Sequence, residues 1–314
     1  MNLVITGGLG HIGSFLLRNL HSNLKIEMIL IVDSLRTQRF ASLFNLPTTH
    51  KFIFLEKDIL DLEPEDISKY GKFDCVIHLA AITDADGSVG IKNELFRNNL
   101  GATTNIVDIC LKLDIPLIFP SSTSVYGSQD KLVDENCENL LPQSPYAECK
   151  LEEEALVIKA SQVNLRGVVL RFGTIHGTSI GMRFHTAVNK FCYQAAIGIP
   201  LTIWKTAQFQ FRPYLSLIDA SNAIAHVINN NIYGGNIYNV LTSNATVDQI
   251  IETINKVSPK KCEIEFVESE IMNQLSFEVS NLKFGETGFS FTGSLQDDIS
   301  HTMNLLAGIN YEKV

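Results

Sequence analysis

The chain has 314 residues, of which 45% are apolar and 19% are charged. This composition excludes a disordered chain, a collagen-like repeat and a small disulfide-stapled protein, and it supplies enough apolar side chains for a substantial core. With 25 basic against 34 acidic residues, the formal net charge is −9. That balance disfavours binding to nucleic acid or to an anionic membrane surface, because both need a basic face.

The sequence carries no sign of a targeting or membrane segment. The N-terminal stretch MNLVITGG lacks the basic and apolar regions of a signal peptide, and no apolar run approaches the roughly 18 residues of a membrane helix. The six cysteines are scattered without a C-x-x-C pair, and the eight histidines show no metal-ligand spacing. We therefore expect a cytoplasmic protein with free thiols and no metal site.

The first half alternates short apolar runs with amphipathic stretches, which is typical of βαβ units on a parallel sheet. The predicted strands are Leu3–Thr6, Met28–Val32, Phe52–Glu56, Cys75–Leu79, Pro116–Pro120 and Gly167–Phe172. Helices are predicted near 11–21, 62–69, 92–112 and 146–163. The pattern predicts a Rossmann-type, doubly wound parallel α/β sheet over residues 1–172, which would be a dinucleotide-binding domain.

After Gly173 the alternation becomes less regular. Helices are predicted near 183–197, 216–230, 246–257 and 295–306, and strands at Leu201–Trp204, Ile237–Val240 and Glu263–Val267. We expect residues 173–314 to form a smaller α/β region that binds the substrate. Part of it, about 213–240, is expected to return to the first sheet.

A glycine-rich turn follows the first predicted strand, with the sequence TGGLGHIG at residues 6–13. Glycine permits a tight turn and a close backbone approach to a pyrophosphate, and the helix that follows adds partial positive charge. Asp33 ends the second strand, where a carboxylate accepts a hydrogen bond from a ribose 2′-hydroxyl and repels a 2′-phosphate. NAD is therefore favoured over NADP, although Arg36 and Arg39 could weaken that preference. Asp58 could meet the adenine amino group or be a solvated loop carboxylate.

A second motif begins a predicted helix. Ser144 is placed to cap it, and Pro145 suits its first position. Tyr146 and Lys150 are four residues apart and share a face, a spacing that is also typical of an ordinary amphipathic helix. The ammonium and the positive helix end are expected to lower the pKa of Tyr146. The phenolate could then take a proton from a substrate hydroxyl while a hydride moves to a nicotinamide.

A hydroxyl-rich turn, SSTSVYG at residues 121–127, directly follows the strand that is predicted to end at Pro120. Hydroxyls at the carboxyl end of a strand face the crevice in which α/β sheets bind ligands. One of them could contact the oxygen that Tyr146 deprotonates. A serine-rich turn without a role is the alternative.

Taken in order, these segments resemble the extended short-chain dehydrogenase/reductases, and within them the NAD-dependent nucleotide-sugar epimerase and dehydratase group of the UDP-galactose 4-epimerase type. The motifs that carry the resemblance are TGGLGHIG at 6–13, VDSL at 32–35, HLAA at 78–81, SSTSVYG at 121–127, YAECK at 146–150, RFGTIHG at 171–177 and RPYLSLID at 212–219. The resemblance implies an epimerase that oxidises C4 of a nucleotide-activated sugar to a keto intermediate and then returns the hydride. A sugar dehydrogenase or 4-ketoreductase and a non-catalytic dinucleotide sensor remain alternatives.

The resemblance also assigns roles to individual positions. Ser122, which lies five residues before Gly127, Tyr146 and Lys150 would be catalytic. The cofactor NAD would contact Gly7, Gly10, His11, Ile12, Gly13, Asp33, Ser34, Asp58, Ile59, Leu79, Ala80, Ala81, Asn99, Tyr146, Lys150 and Phe172. The nucleotide-sugar substrate would contact Thr83, Ser122, Thr123, Ser124, Thr174 and Arg212.

The sequence departs from the family pattern at several positions, including Thr174 in place of an asparagine and Thr83 in place of a lysine. Thr123 and Ser124 stand where dehydratases carry an Asp-Glu pair and decarboxylases a glutamate, which disfavours elimination and decarboxylation. No arginine follows Arg212, although the family commonly uses a second one on the diphosphate, and the corresponding stretch is Asn273–Ser276. The resemblance further implies a homodimer that pairs the helices near 92–112 and 146–163.

Overall fold

The computed structural model of the chain describes residues 1–83, 89–184, 186–258, 260–267 and 276–309. Its strands are β1 (Asn2–Thr6), β2 (Met28–Asp33), β3 (Lys51–Glu56), β4 (Cys75–His78), β5 (Leu117–Ser122), β6 (Gly167–Phe172), β7 (Thr174–His176), β8 (Leu201–Trp204), β9 (Phe211–Ser216), β10 (Asn236–Val240), β11 (Ser243–Thr246) and β12 (Ile264–Val267). Its α-helices are α1 (His11–Asn19), α2 (Pro64–Ser68), α3 (Lys92–Leu113), α4 (Pro145–Val163), α5 (Ala187–Ile197), α6 (Leu217–Asn230), α7 (Val247–Val257), α8 (Leu282–Gly285) and α9 (Leu295–Leu305).

Seven strands form one large parallel sheet in the order β10-β6-β5-β4-β1-β2-β3. Alternate residues of a strand point to opposite faces of a sheet, and both sets are buried here. Leu3 and Ile5 of β1 belong to an apolar cluster with α1 and α6, whereas Val4 belongs to a second cluster with α3 and α4. The predicted Rossmann-type α/β fold is confirmed. The strand order reverses between β1 and β4, which is where doubly wound sheets bind their ligands.

The later part of the chain contributes to the large sheet and also forms smaller elements. β10 pairs with β6, from Asn236 opposite Val168 to Val240 opposite Phe172, and α6 packs against α1. A three-stranded sheet has the order β11-β9-β7, and β12 pairs with β8. Beside them, α5, α7 and α9 share a separate apolar cluster. The division into two domains at residue 172 stays a prediction.

Three strands of the structure were not predicted from the sequence, namely β7, β9 and β11. β9 contains Pro213, which argues against a strand because proline cannot donate to a sheet ladder. In the structure Pro213 lies opposite Asn244 of β11, beyond the part of β9 that pairs with β7. β11 has the polar sequence SNAT, which lacks apolar alternation. The helix predicted near 183–197 begins at Ala187, and the strand predicted to end at Pro120 continues to Ser122.

Within the described residues, no helix combines the length and the apolar character needed to cross a membrane. All six cysteines are free thiols, and four of them are buried.

Candidate active site at the carboxyl edge of the large sheet

The glycine turn after β1 forms a close backbone cradle. Gly7 has a φ of +62°, and a Cβ built on it would lie 2.6 Å from the backbone nitrogen of Ala80. A Cβ on Gly13 would lie 2.6 Å from the Cα of Gly8, so the helix start packs directly on the turn. The first turn of α1, which includes His11 and Ile12, presents backbone N–H groups that have no partner within the helix. Such a cradle fits a pyrophosphate and has no room for larger side chains.

Asp33 ends β2 beside this cradle. Its Oδ2 accepts the N–H of Leu9 at 3.1 Å, and its Oδ1 accepts the N–H of Leu35 at 3.0 Å. Each carboxylate oxygen keeps acceptor capacity for a ribose hydroxyl. The neighbouring Ser34 is exposed. Arg36, which the sequence analysis considers as a partner for a 2′-phosphate, forms an ion pair of 2.5 Å with Glu94 at the start of α3.

The ends of β3 and β4 supply the next predicted cofactor residues. Asp58 is exposed and caps a 3₁₀ turn by accepting the N–H of Leu60 at 3.0 Å, while Ile59 is buried in that turn. Leu79, Ala80 and Ala81 follow β4 and are half-buried.

Asn99, on α3, forms hydrogen bonds with the backbone that follows β4. It is fully buried, with its Oδ1 accepting the N–H of Ile82 at 2.8 Å and its Nδ2 donating to the Ile82 carbonyl at 2.9 Å. It therefore orients the backbone that follows β4, and its described contacts reach the site through that backbone.

The helix α4 begins as the sequence predicts. The Ser144 side chain caps it by accepting the N–H of Ala147 at 3.2 Å, and Pro145 occupies the first turn. Lys150, only 4% exposed, places its Nζ 6.0 Å from the ring centroid of Tyr146. The same ammonium lies 4.6 Å from the ring centroid of Phe119. Tyr146 and Lys150 are thus brought together at the end of β5, against which α4 packs.

The electrostatics of this pair differ from the sequence expectation. Burial raises the pKa of Tyr146, and the charge of Glu153 adds to the rise, whereas the ammonium of Lys150 opposes it. The expectation of a lowered pKa for Tyr146 is therefore wrong in its net direction, because burial outweighs the lysine. Burial opposes the charged form of Lys150, but its neighbours, above all the charge of Glu153, outweigh burial, and the pKa of Lys150 is raised.

The hydroxyl-rich turn lies where β5 ends. Ser122 is the last residue of the strand, and its Oγ accepts hydrogen bonds from the backbone N–H of Ser124 at 3.2 Å and from the Ser124 Oγ at 2.9 Å. Its own proton is left for a further acceptor. Thr123 is buried, and its hydroxyl donates to the carbonyl of Phe172 at 3.3 Å.

The remaining predicted substrate residues lie in β7, in β9 and after β4. Thr174 lies in β7 opposite Tyr214 of β9, and Arg212 lies two residues earlier in β9 with its guanidinium 5.7 Å from the ring centroid of Trp204. Thr83 is exposed after β4.

The stretch that could replace the second arginine is described only in part. Asn273, Gln274 and Leu275 lie outside the described residues, while Ser276 accepts the N–H of Phe211 through its Oγ at 3.3 Å.

One loop that was not predicted to belong to the site contacts both the glycine turn and the segment after β4. Between β7 and α5, Gly181 approaches the glycine turn so closely that a Cβ would lie 2.3 Å from the Leu9 carbonyl oxygen. Arg183, two residues later, donates to the Thr83 Oγ1 at 2.5 Å, and its charge acts on Tyr146. No local pattern marks either residue, because both contacts arise from folding over more than 90 residues. Glu153 was also missed, although its spacing from Lys150 was a readable signal.

Known proteins resemble this chain over most of its length. A curated relative from Bacillus subtilis, described as an uncharacterised UDP-glucose epimerase, is 28% identical over 276 residues, which cover 85% of each chain. An ADP-L-glycero-D-manno-heptose-6-epimerase from Brachyspira hyodysenteriae is 27% identical over 270 residues, covering 84% of this chain and 83% of the relative.

Among solved structures, the UDP-glucuronic acid 4-epimerase from Bacillus cereus, in complex with UDP-glucuronic acid and NAD, superposes with a TM-score of 0.86. It is 25% identical, and the match covers 98% of this chain and 99% of that one. The family described as NAD-dependent epimerase/dehydratase matches residues 3–240. The family expected from the motifs is therefore confirmed: the chain belongs to the NAD-dependent epimerase/dehydratase family, and its cofactor is NAD.

Proposed function

We propose that this enzyme interconverts a nucleotide-activated sugar and its C4 epimer. The observation that best supports this is the grouping of Tyr146 and Lys150 with Ser122 at the end of β5, on the same edge of the sheet as the glycine cradle. Such an edge can hold a dinucleotide and a sugar side by side. Arg212 would hold the diphosphate of the substrate, for which a guanidinium is well suited.

The catalytic side chains have separate tasks. Ser122 has a hydroxyl proton to donate, because its oxygen already accepts two hydrogen bonds, and it would orient the sugar 4-oxygen. Tyr146 would take the proton of that hydroxyl and later return it. Lys150 would stabilise the phenolate through its ammonium. Bound NAD supplies a reversible hydride acceptor, and the positive charge of its oxidised ring favours ionisation of the tyrosine.

The turn after β5 favours epimerisation over elimination. Dehydration and decarboxylation need an acid or a base beside the reacting carbon, and residues 121–127 contain no carboxylate. The Thr123 hydroxyl is engaged with the carbonyl of Phe172, and the Ser124 hydroxyl with Ser122. The proton chemistry available here is therefore that of Tyr146.

Arg183 favours an acidic sugar as the substrate. Its guanidinium contacts Thr83, a predicted substrate residue, and its positive charge acts on Tyr146. A carboxylate on the sugar ring would gain a charge-assisted hydrogen bond there. The solved relative from Bacillus cereus holds UDP-glucuronic acid.

The test is turnover of matched acidic and neutral nucleotide sugars, with the 4-epimers followed by proton NMR. We expect UDP-glucuronic acid to be epimerised at least tenfold more efficiently than UDP-glucose, without net formation of NADH. Tyr146→Phe should lower kcat by at least about 100-fold, because it removes the proton acceptor. Tyr70→Phe is the matched control, since Tyr70 contacts Lys69 away from the site.

Two results would contradict the proposal. Stoichiometric NADH production with an oxidised sugar would indicate a dehydrogenase, the principal alternative. Unchanged turnover in the Tyr146→Phe variant would remove the tyrosine from the mechanism.

A further inference from the structure

A third ionisable residue lies on the catalytic face of α4. Tyr146, Lys150 and Glu153 are spaced at i, i+4 and i+7, which places them on one side of a helix. Glu153 is completely buried, and its Oε2 lies 3.2 Å from the Nζ of Lys150. Buried carboxylates are uncommon and need compensating partners. The charge of Glu153 must therefore be stabilised by the groups that surround it.

A chain of hydrogen bonds ends on the other carboxylate oxygen of Glu153. Thr103 donates its single hydroxyl proton to the Glu153 Oε1 at 2.5 Å, so the contact of 3.3 Å between Thr103 Oγ1 and His78 Nε2 must be donated by the histidine. His78 Nδ1 then accepts from the Thr6 hydroxyl at 2.8 Å, and Thr6 accepts the N–H of Ala80 at 3.3 Å. Burial lowers the pKa of His78 to about 3, in agreement with this neutral form.

Every donor in this chain is directed toward Glu153, which is the arrangement that an ionised carboxylate requires. Protonation on Oε1 would reverse these bonds and leave the Thr6 hydroxyl without an acceptor in this chain, and protonation on Oε2 would place the proton against the Lys150 ammonium. The chain also links the end of β1, the end of β4 and the helix α3 to the catalytic lysine. Its far end is Ala80, whose backbone closes the glycine cradle against Gly7.

Among the described residues around Lys150, the groups other than Glu153 do not carry a negative charge that could balance the ammonium. On α4, burial raises the pKa of the Cys149 thiol to about 12, and Tyr146 is a neutral phenol when its pKa is raised. His78, the last residue of β4, is neutral, and Arg183, from the loop after β7, is a further cation. The Pro120 carbonyl accepts from the lysine at 3.5 Å but carries no formal charge.

We propose that Glu153 is a positioning residue that keeps Lys150 protonated and holds its ammonium in place for Tyr146. A buried lysine without a counter-ion readily loses its proton, and a neutral lysine cannot stabilise a phenolate. Two of the three ammonium N–H groups can be held by Glu153 and Pro120, which leaves one for the site. The proposal rests on the proposed function, because this role of Lys150 matters only where Tyr146 transfers a proton.

The direct test separates charge from shape. Glu153→Gln keeps the size and removes the charge, Glu153→Asp keeps the charge and shortens the side chain, and Glu152→Gln removes the same charge from the exposed neighbouring position. The protonation of Lys150 is followed by NMR of ¹³C-labelled lysine in the protein without sugar, with the signal assigned by its loss in Lys150→Arg.

We expect the Lys150 midpoint to fall by about one pH unit or more in Glu153→Gln, and to remain within about half a unit of the parent in the other two variants. Thr103→Val, which removes a donor from the carboxylate, should shift the midpoint in the same direction by less, and it serves if Glu153→Gln does not fold. An unchanged midpoint in both Glu153→Gln and Thr103→Val overturns the proposal. So does an equal shift in Glu153→Gln and Glu153→Asp.

The pH dependence of turnover provides the second readout. A lower pKa of Lys150 moves the alkaline limb of the kcat profile to lower pH, so the active range should narrow from the alkaline side in Glu153→Gln but not in Glu153→Asp or Glu152→Gln. An unshifted alkaline limb in that variant contradicts the proposal. If the parent protein turns over no nucleotide sugar, the proposed function fails, and the lysine titration still decides the role of Glu153.

Discussion

At the scale of single residues, Asp33 holds the backbone at the glycine turn, and we propose that it also selects the dinucleotide. Its two carboxylate oxygens accept backbone N–H groups from Leu9 and Leu35, which fixes the carboxylate against the glycine turn. A charge held in this position repels a 2′-phosphate. We therefore propose that selectivity for NAD over NADP depends on this carboxylate, which the fold holds in place.

Replacing Asp33 with asparagine should erode the preference for NAD over NADP. The amide keeps one acceptor oxygen but removes the repulsion, so we expect the ratio of the two dissociation constants to change by about 10- to 100-fold, corresponding to ~1.4 to 2.8 kcal/mol. Isothermal titration calorimetry with each dinucleotide measures that ratio. Asp108→Asn, at an exposed position on α3, is the matched control. An unchanged ratio in Asp33→Asn would show that another group sets the selectivity.

Local sequence patterns predicted much of the site but not its electrostatics. The glycine turn, the cap at Ser144 and the pairing of Tyr146 with Lys150 depend on spacing within one segment, so they can be read from the chain. The pKa of Tyr146 depends on burial beneath other segments, and its direction was mispredicted for that reason. Glu153 could have been noticed from its spacing, but its burial could not.

At the scale of elements, the loop between β7 and α5 covers the glycine turn. The backbone N–H of Gly181 donates to the Ser14 Oγ at 2.9 Å, and the Ser179 hydroxyl donates to the His11 carbonyl at 2.8 Å. These bonds join the loop after β7 to the start of α1. The strands flanking this loop were harder to predict, because β7 has three residues and β9 contains Pro213.

Gly181→Ala should weaken NAD binding. The added methyl group would lie 2.3 Å from the Leu9 carbonyl oxygen and 2.5 Å from that of Gly10, so the loop must move away from the turn. Overpacking of this kind costs about 1 to 3 kcal/mol, and we expect roughly a tenfold rise in the NAD dissociation constant. Gly285→Ala is the control, since its Cβ would meet nothing within 4 Å. If Gly181→Ala lowers the Tm but leaves NAD affinity unchanged, the loop contributes only to stability.

At the scale of the whole molecule, the cofactor sheet is completed by chain from the second half. β10 adds the outer strand beside β6, and the buried face of α6, which includes Ala220 and Ile224, shares an apolar cluster with Leu16 and Leu17 of α1. The sequence predicted this return through the apolar strand near 237–240. The sequence offered no comparable signal for the polar strand β11. The homodimer that the resemblance implies stays a prediction.

This shared sheet predicts that the two halves unfold together. The single tryptophan, Trp204, lies in β8, outside the large sheet, whereas the glycine cradle lies in the first half. NAD at 100 times its dissociation constant stabilises the folded state by about 2.7 kcal/mol, which corresponds to a shift of about 0.8 M in the urea midpoint for a chain of this size. We expect Trp204 fluorescence and far-ultraviolet circular dichroism to give the same midpoint, and NAD to raise both equally. A fluorescence midpoint that does not respond to NAD would mean that the second half unfolds independently.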